Sequence, residues 1–187
     1  EPKYFIPDPW TMTNPDSNYW SELIHTTISK LVLKNTSLKV NLYELFCLVI
    51  IFIKFAKLKN YITYLNFFIT GFKYRWRRAL FLDLLLSDIH LNFFNKKQPN
   101  FSNVFFNGMA HIQHHYFFNS PFAKSSNLQN PTWYIQPNED PFLEMLEIYD
   151  PMLQDLLDSP STEIIVATGL SQKPYDKLKF YYRLKDH

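Results

Sequence analysis

Apolar side chains return at helical spacing along most of the chain, and the first element they predict runs from Tyr19 to about Leu33. Leu23, Ile24, Thr27, Ile28 and Leu31 share its apolar stripe, with Asp16 or Ser17 placed to cap it. The next segment, Leu42 to Leu58, is helical too. Leu42, Leu45, Phe46, Val49, Ile50, Ile53 and Ala56 fall on one face, and the other face is also largely apolar. A helix that is apolar on both sides is expected to be buried or to meet a partner. Tyr61–Thr70 and Lys73–Phe94 continue the pattern, with Gly71 as the break between them. Residues 140–157 predict an acidic amphipathic helix on Phe142, Met145, Leu146, Tyr149, Leu153, Leu156 and Leu157.

Two short runs depart from the helical period. Asn103–Phe106 reads as a strand, and Thr162–Ala167 as a buried β-branched strand that ends at Thr168-Gly169. Helix, strand and turn in that order suggest a βα unit. The expected fold is therefore α/β: a mostly parallel sheet flanked by helices, with a helical insertion. Residues 1–20, rich in proline, form an extended loop region of the core. Residues 21–97 form the helical insertion, and residues 98–187 the remaining core segment.

Composition narrows the chemistry. Hydrophobic residues make up 47% and aromatics 18%, enough for a packed core and against intrinsic disorder. Three glycines against twelve prolines argue against a glycine-rich phosphate loop. The single cysteine, Cys47, excludes an internal disulfide and any zinc site built on several thiolates. In its apolar run it reads as a small buried hydrophobe. Charge is segregated: twelve Lys/Arg against three acids from Lys30 to Lys97, then eight acids and no base from Asn138 to Glu163. The lysines are spread along helical patterns without forming a block, so no nucleic-acid partner is expected. Arg75, Arg77 and Arg78, beside Tyr74 and Trp76, either grip a phosphate or lipid head group or form a solvated helix face. The uninterrupted apolar run Leu45–Ile53 is short of the roughly 20 residues that span a bilayer. No signal peptide or transmembrane segment is visible, and both ends read as cut, so the remainder of its own chain is an expected partner. Localisation is left open.

The densest chemistry lies at Asn107–Tyr116, where three of the six histidines fall within five residues. On a helix, His111 and His115 share a face, with His114 turned aside. Two neutral imidazoles one turn apart are able to hold a divalent ion, completed by carboxylates; a structural, histidine-rich turn is the alternative. Asp83 and Asp88, five apart, do not share a face, which argues against paired-carboxylate catalysis. His25 and His90 stand alone.

The segment FSNVFFNGMAHIQHHYFF resembles the middle metal-binding segment of the alkaline-phosphatase superfamily, particularly its type I phosphodiesterase and nucleotide-pyrophosphatase-like branch. There a strand leads into Asp-x-x-Gly-His. Asn107, Ala110 and His111 occupy the Asp, Gly and His positions. Asn107 departs from the pattern and would offer only a carbonyl oxygen. Phe5–Trp10 and Asn138–Asp150 fit more loosely. Thr168 and Gly169 stand where the superfamily has Asp and His, a second departure. The resemblance implies a fragment of a metal-dependent hydrolase of phosphate esters, a phosphodiester or nucleotide, with a small-molecule or glycan substrate. It implies a divalent ion, zinc or manganese, on Asn107 and His111; helical spacing adds His115 to that ion, and Gln113, His114 and Gln172 are expected on the substrate side. The fragment itself would lack the nucleophile. Two other readings stand beside it: a non-catalytic binding or scaffold domain of the same fold, and a membrane-surface interaction protein built on residues 42–94.

Overall fold

The computed structural model describes residues 2–9, 11–33, 41–123, 128–159, 163–168, 172–173 and 177. Among them are six α-helices: α1 (Tyr19–Leu33), α2 (Leu42–Phe55), α3 (Tyr61–Thr70), α4 (Arg77–Lys97), α5 (Gly108–Tyr116) and α6 (Pro141–Leu157). Single 3-10 turns lie at Leu58–Asn60, Phe117–Asn119 and Pro121–Ala123. The expected α/β fold is overturned: the described residues are helical and contain no strand. Asn103–Phe106 forms no strand, and Phe105 is 68% exposed. Residues 163–168 form no strand either, with Ile165 83% and Val166 69% exposed. Both runs have strand composition, but the described residues hold no neighbouring strand to complete a ladder, and β-propensity without cross-strand packing does not make a sheet.

The chain divides into two units. The first comprises Glu1–Ile69 and Phe81–Phe106, and the second Thr70–Leu80 and Asn107–His187.

In the first unit α1 packs on α2. Asn18, rather than Asp16 or Ser17, caps α1: its Oδ1 accepts from Trp20 N at 2.9 Å. Ile24 and Ile28 of α1, Cys47, Ile51 and Phe55 of α2, Tyr64 and Phe67 of α3, and Leu84, Leu85 and Ile89 of α4 are all buried. Aromatic edges tie these elements together, with Trp20 against Phe55 at 5.3 Å, Phe52 against Tyr64 at 5.0 Å and Tyr64 against Phe81 at 5.2 Å. Cys47 is buried and free, as its apolar run predicts.

Three polar devices fix this unit. A capping box starts α2: Tyr43 N donates to Asn41 Oδ1 at 3.0 Å, and Asn41 N donates to Glu44 Oε2 at 3.1 Å. The Asp88 carboxylate on α4 accepts from Lys57 N at 2.8 Å, from Asn60 Nδ2 at 3.0 Å and from Tyr64 Oη at 2.8 Å. It thereby caps the Leu58–Asn60 turn from a distant helix, since Lys57 has no side-chain cap of its own. At the far end of α4, Lys3 Nζ donates to the carbonyls of Lys97 at 2.9 Å and Gln98 at 2.8 Å. Gln98 there takes a left-handed φ of 45°, the usual way a helix is stopped.

In the second unit α5 packs on α6. Ile112 and Tyr116 meet a core that includes Met145, Tyr149, Met152, Trp76 and Leu80, all buried. Asp140 caps α6, accepting from Phe142 N and Leu143 N, both at 3.1 Å, and Pro141 opens the helix where no N–H is needed. Glu144 accepts a 2.7 Å hydrogen bond from Trp76 Nε1 and lies 2.6 Å from Arg77 Nε. The Arg77 contact is an ion pair rather than an aligned hydrogen bond. Pro151 lies inside α6 and has no N–H to give the Glu147 carbonyl one turn back.

Candidate functional site

The sequence places its candidate chemistry at the start of α5. Asn107 is the residue before the helix, with φ −103° and ψ −10°, and its side chain makes no capping bond. Its carbonyl accepts from His111 N at 3.0 Å, which starts the helix. His111 and His115, one turn apart, do come together: their ring centroids are 4.6 Å apart at 49°. Burial pushes His111 down to about 4, helped by His115 and His114. Burial, then His114, lowers His115 as well. Both rings are therefore neutral at pH 7.

Their remaining partners come from the protein itself. Tyr134 Oη lies 3.0 Å from His115 Nδ1, and Asn130 Nδ2 donates to the His115 carbonyl at 3.1 Å. His114 Nε2 is 3.3 Å from the side-chain amide of Gln172. Gln113, between them, is half-buried. Tyr134 stacks on Tyr116 with centroids 5.4 Å apart, and Tyr116 meets Trp76 edge-on at 5.3 Å. The result is an aromatic wall rather than a carboxylate-lined cation cage. No group of three or more His, Cys, Asp or Glu side chains suited to a metal occurs among the described residues.

The alkaline-phosphatase-like α/β setting expected for this segment is therefore corrected along with the fold. Its site was to sit at the ends of strands, and the described segments on either side of α5 contain none. Gly169, one of the departing positions, lies outside the described residues. Arg77, expected to grip an anion or face solvent, is instead paired with Glu144 and lies 4.5 Å over the Tyr74 ring.

A different feature of the first unit stands out as a binding surface. On α2 the buried residues Glu44, Cys47, Ile51 and Phe55 recur at i, i+3, i+7 and i+11. Leu42, Phe46, Val49 and Ile53 follow the same spacing about 180° away. They are 84%, 61%, 45% and 70% exposed. The neighbouring Leu58, Ile62, Leu65 and Ile69 are exposed at matching spacing, from 60% to 83%. Isolated exposed apolar residues are ordinary, but two helices that each carry such a stripe are not. The periodicity shows both apolar faces of α2. What it does not show is that the Leu42–Ile53 face lies outside, because the faces differ in polarity only at Glu44, which the capping box draws inward.

No helix among the described residues is long and apolar enough to cross a membrane. No protein family, no curated protein and no solved structure gives a match to this chain.

Proposed function

We propose that the chain is a non-catalytic helical module that docks on the surface of an anionic lipid bilayer through the outer faces of α2 and α3. The observation that carries this reading is the exposed apolar stripe Leu42, Phe46, Val49 and Ile53, continued by Leu58, Ile62, Leu65 and Ile69. Charge chooses the partner. From Leu42 to Gly71 the chain has Lys54, Lys57 and Lys59 and one acid, Glu44, which is buried. A segment with an exposed apolar stripe, three lysines and no exposed carboxylate suits the boundary between anionic head groups and acyl chains. Lysine stems lie along such a surface while the ammonium reaches the phosphates. Half-burying each large apolar side chain contributes about 1 kcal/mol, and each lysine near an anionic surface about 1 kcal/mol more.

The test is co-sedimentation with phosphatidylcholine vesicles, with and without phosphatidylserine. The protein is expected to pellet with the anionic vesicles at low salt and to be released by high salt. The paired substitutions Phe46→Ser with Ile53→Ser, and Ile62→Ser with Leu65→Ser, should each leave it in the supernatant. These positions are exposed, so the fold is retained. Absence of pelleting at low salt would refute the proposal, as would pelleting that both pairs leave unchanged. Self-association that depends on Ile53 would instead identify a second copy as the occupant.

A further inference from the structure

The second unit carries an apolar surface of opposite charge. Met109 at the start of α5 and Leu146, Glu147, Tyr149, Asp150 and Leu153 of α6 line an open groove of about 450 Å³. Leu143 and Leu157, 46% and 63% exposed, extend it along α6 in both directions. Leu143, Leu146, Leu153 and Leu157 share one stripe at i, i+3, i+10 and i+14, with Asp150 at its middle. The stripe is about four turns long, roughly 22 Å at the helical rise. Glu147 and Asp158 border it, and α6 has neither lysine nor arginine. Glu147 and Asp150 have no hydrogen-bond or ion-pair partner among the described residues. The Glu147 carbonyl also lacks the backbone donor that a residue other than Pro151 would supply.

We infer that this groove receives a basic amphipathic helix of another protein. The linear stripe has the form of a helix-in-groove site, with anchors spaced to meet the leucines or aromatics of a facing helix. The acids within and beside it select the charge of that helix. Lysines or arginines flanking the partner's apolar anchors meet Glu147, Asp150 and Asp158, whereas an acidic helix meets like charge. The same carboxylates disfavour an anionic bilayer, so this surface differs in kind from the α2 and α3 face. The acids of α6 have different roles: Glu144 is held by Trp76 and Arg77, while Glu147 and Asp150 have no such partner among the described residues.

The probe is a synthetic peptide of leucine and lysine at helical spacing, about four turns long, carrying a fluorophore for anisotropy titration. A counterpart of leucine and glutamate is the control. The full chain is expected to bind the lysine peptide saturably, more weakly as salt rises, and to leave the glutamate peptide unbound. Glu147→Lys with Asp150→Lys should weaken the lysine peptide by at least about tenfold and admit the glutamate peptide. The milder pair Glu147→Gln with Asp150→Gln should weaken it by about threefold. Leu146→Ser with Leu153→Ser should weaken it by about tenfold, with helical circular dichroism unchanged. Equal binding of both peptides by the wild type would overturn the inference, as would affinity that both charge variants leave unaltered. It would also be overturned by binding that appears only after residues 177–187 are deleted, because the occupant would then be the chain's own basic C-terminal segment.

Discussion

Replacing Asp88 with alanine tests how far the first unit depends on one buried carboxylate. Three donors lose their acceptor at once: Lys57 N, Asn60 Nδ2 and Tyr64 Oη. Tyr64 is 2% exposed, so its hydroxyl has no route to water, and a buried donor left unpaired costs about 1–3 kcal/mol. Lys57 N, the cap of the Leu58–Asn60 turn, adds about 1 kcal/mol. Asn60 is half-buried and turns to solvent at little cost. One effect opposes these. Burial raises the Asp88 pKa despite its hydrogen bonds, so alanine also removes a poorly solvated charge, worth about 1 kcal/mol. The net expectation is a loss of about 1–3 kcal/mol, a large share of the ~5–15 kcal/mol that holds an ordinary domain together. Urea unfolding followed by circular dichroism reads it as a lower midpoint at unchanged slope. Tyr64→Phe supplies the control. Alone it costs about 1 kcal/mol; in the Asp88→Ala background it costs nothing, because the hydroxyl no longer has an acceptor. A loss below about 1 kcal/mol, or strict additivity of the two substitutions, would refute the reasoning.

Three further outcomes follow from the same geometry. His90, 9% exposed and lowered to about 4 by burial, stays neutral in the fold while the unfolded chain takes up its proton near pH 6.5. Its contribution is complete above about pH 6.5 and is lost as pH falls toward 4, by up to about 3 kcal/mol. Stability measured by urea titration at several pH values should fall over that window, and less steeply in His90→Leu. Glu144→Ala removes both the Trp76 hydrogen bond and the Arg77 ion pair, and should cost about 2 kcal/mol and shift Trp76 fluorescence. Unchanged emission would show that the indole does not rely on Glu144. Asn41→Ala takes away the α2 cap and should cost about 1 kcal/mol, with Asn41→Asp restoring it; both are read by thermal unfolding.

The helices were legible because their periodicity runs over many turns, and all six lie where apolar spacing or a start signal marks them. The sheet was not, because each strand reading rested on four to six residues. A run such as Thr162–Ala167 has strand composition in any setting, and only a partner strand makes it one. The histidines divide in the same way. Spacing predicts that His111 and His115 meet, and they do, at 4.6 Å. What completes the site comes from Tyr134, whose hydroxyl meets the His115 ring, and Asn130, whose amide holds the His115 carbonyl, and no local spacing announces either. Asp88 illustrates the converse. An acid inside an apolar helical pattern looked idle by spacing, yet it joins three segments, because its donors are supplied by tertiary contact.

α2 is a helix with two apolar sides, so hydrophobicity alone would let it roll half a turn and present either one to the core. Its rotational setting is indexed by one polar pin: Glu44, tethered to Asn41 and turned inward. Cutting that tether would leave burial nearly indifferent between the two orientations, and the surface offered to a partner would then be decided by a single carboxylate rather than by the ten apolar residues around it.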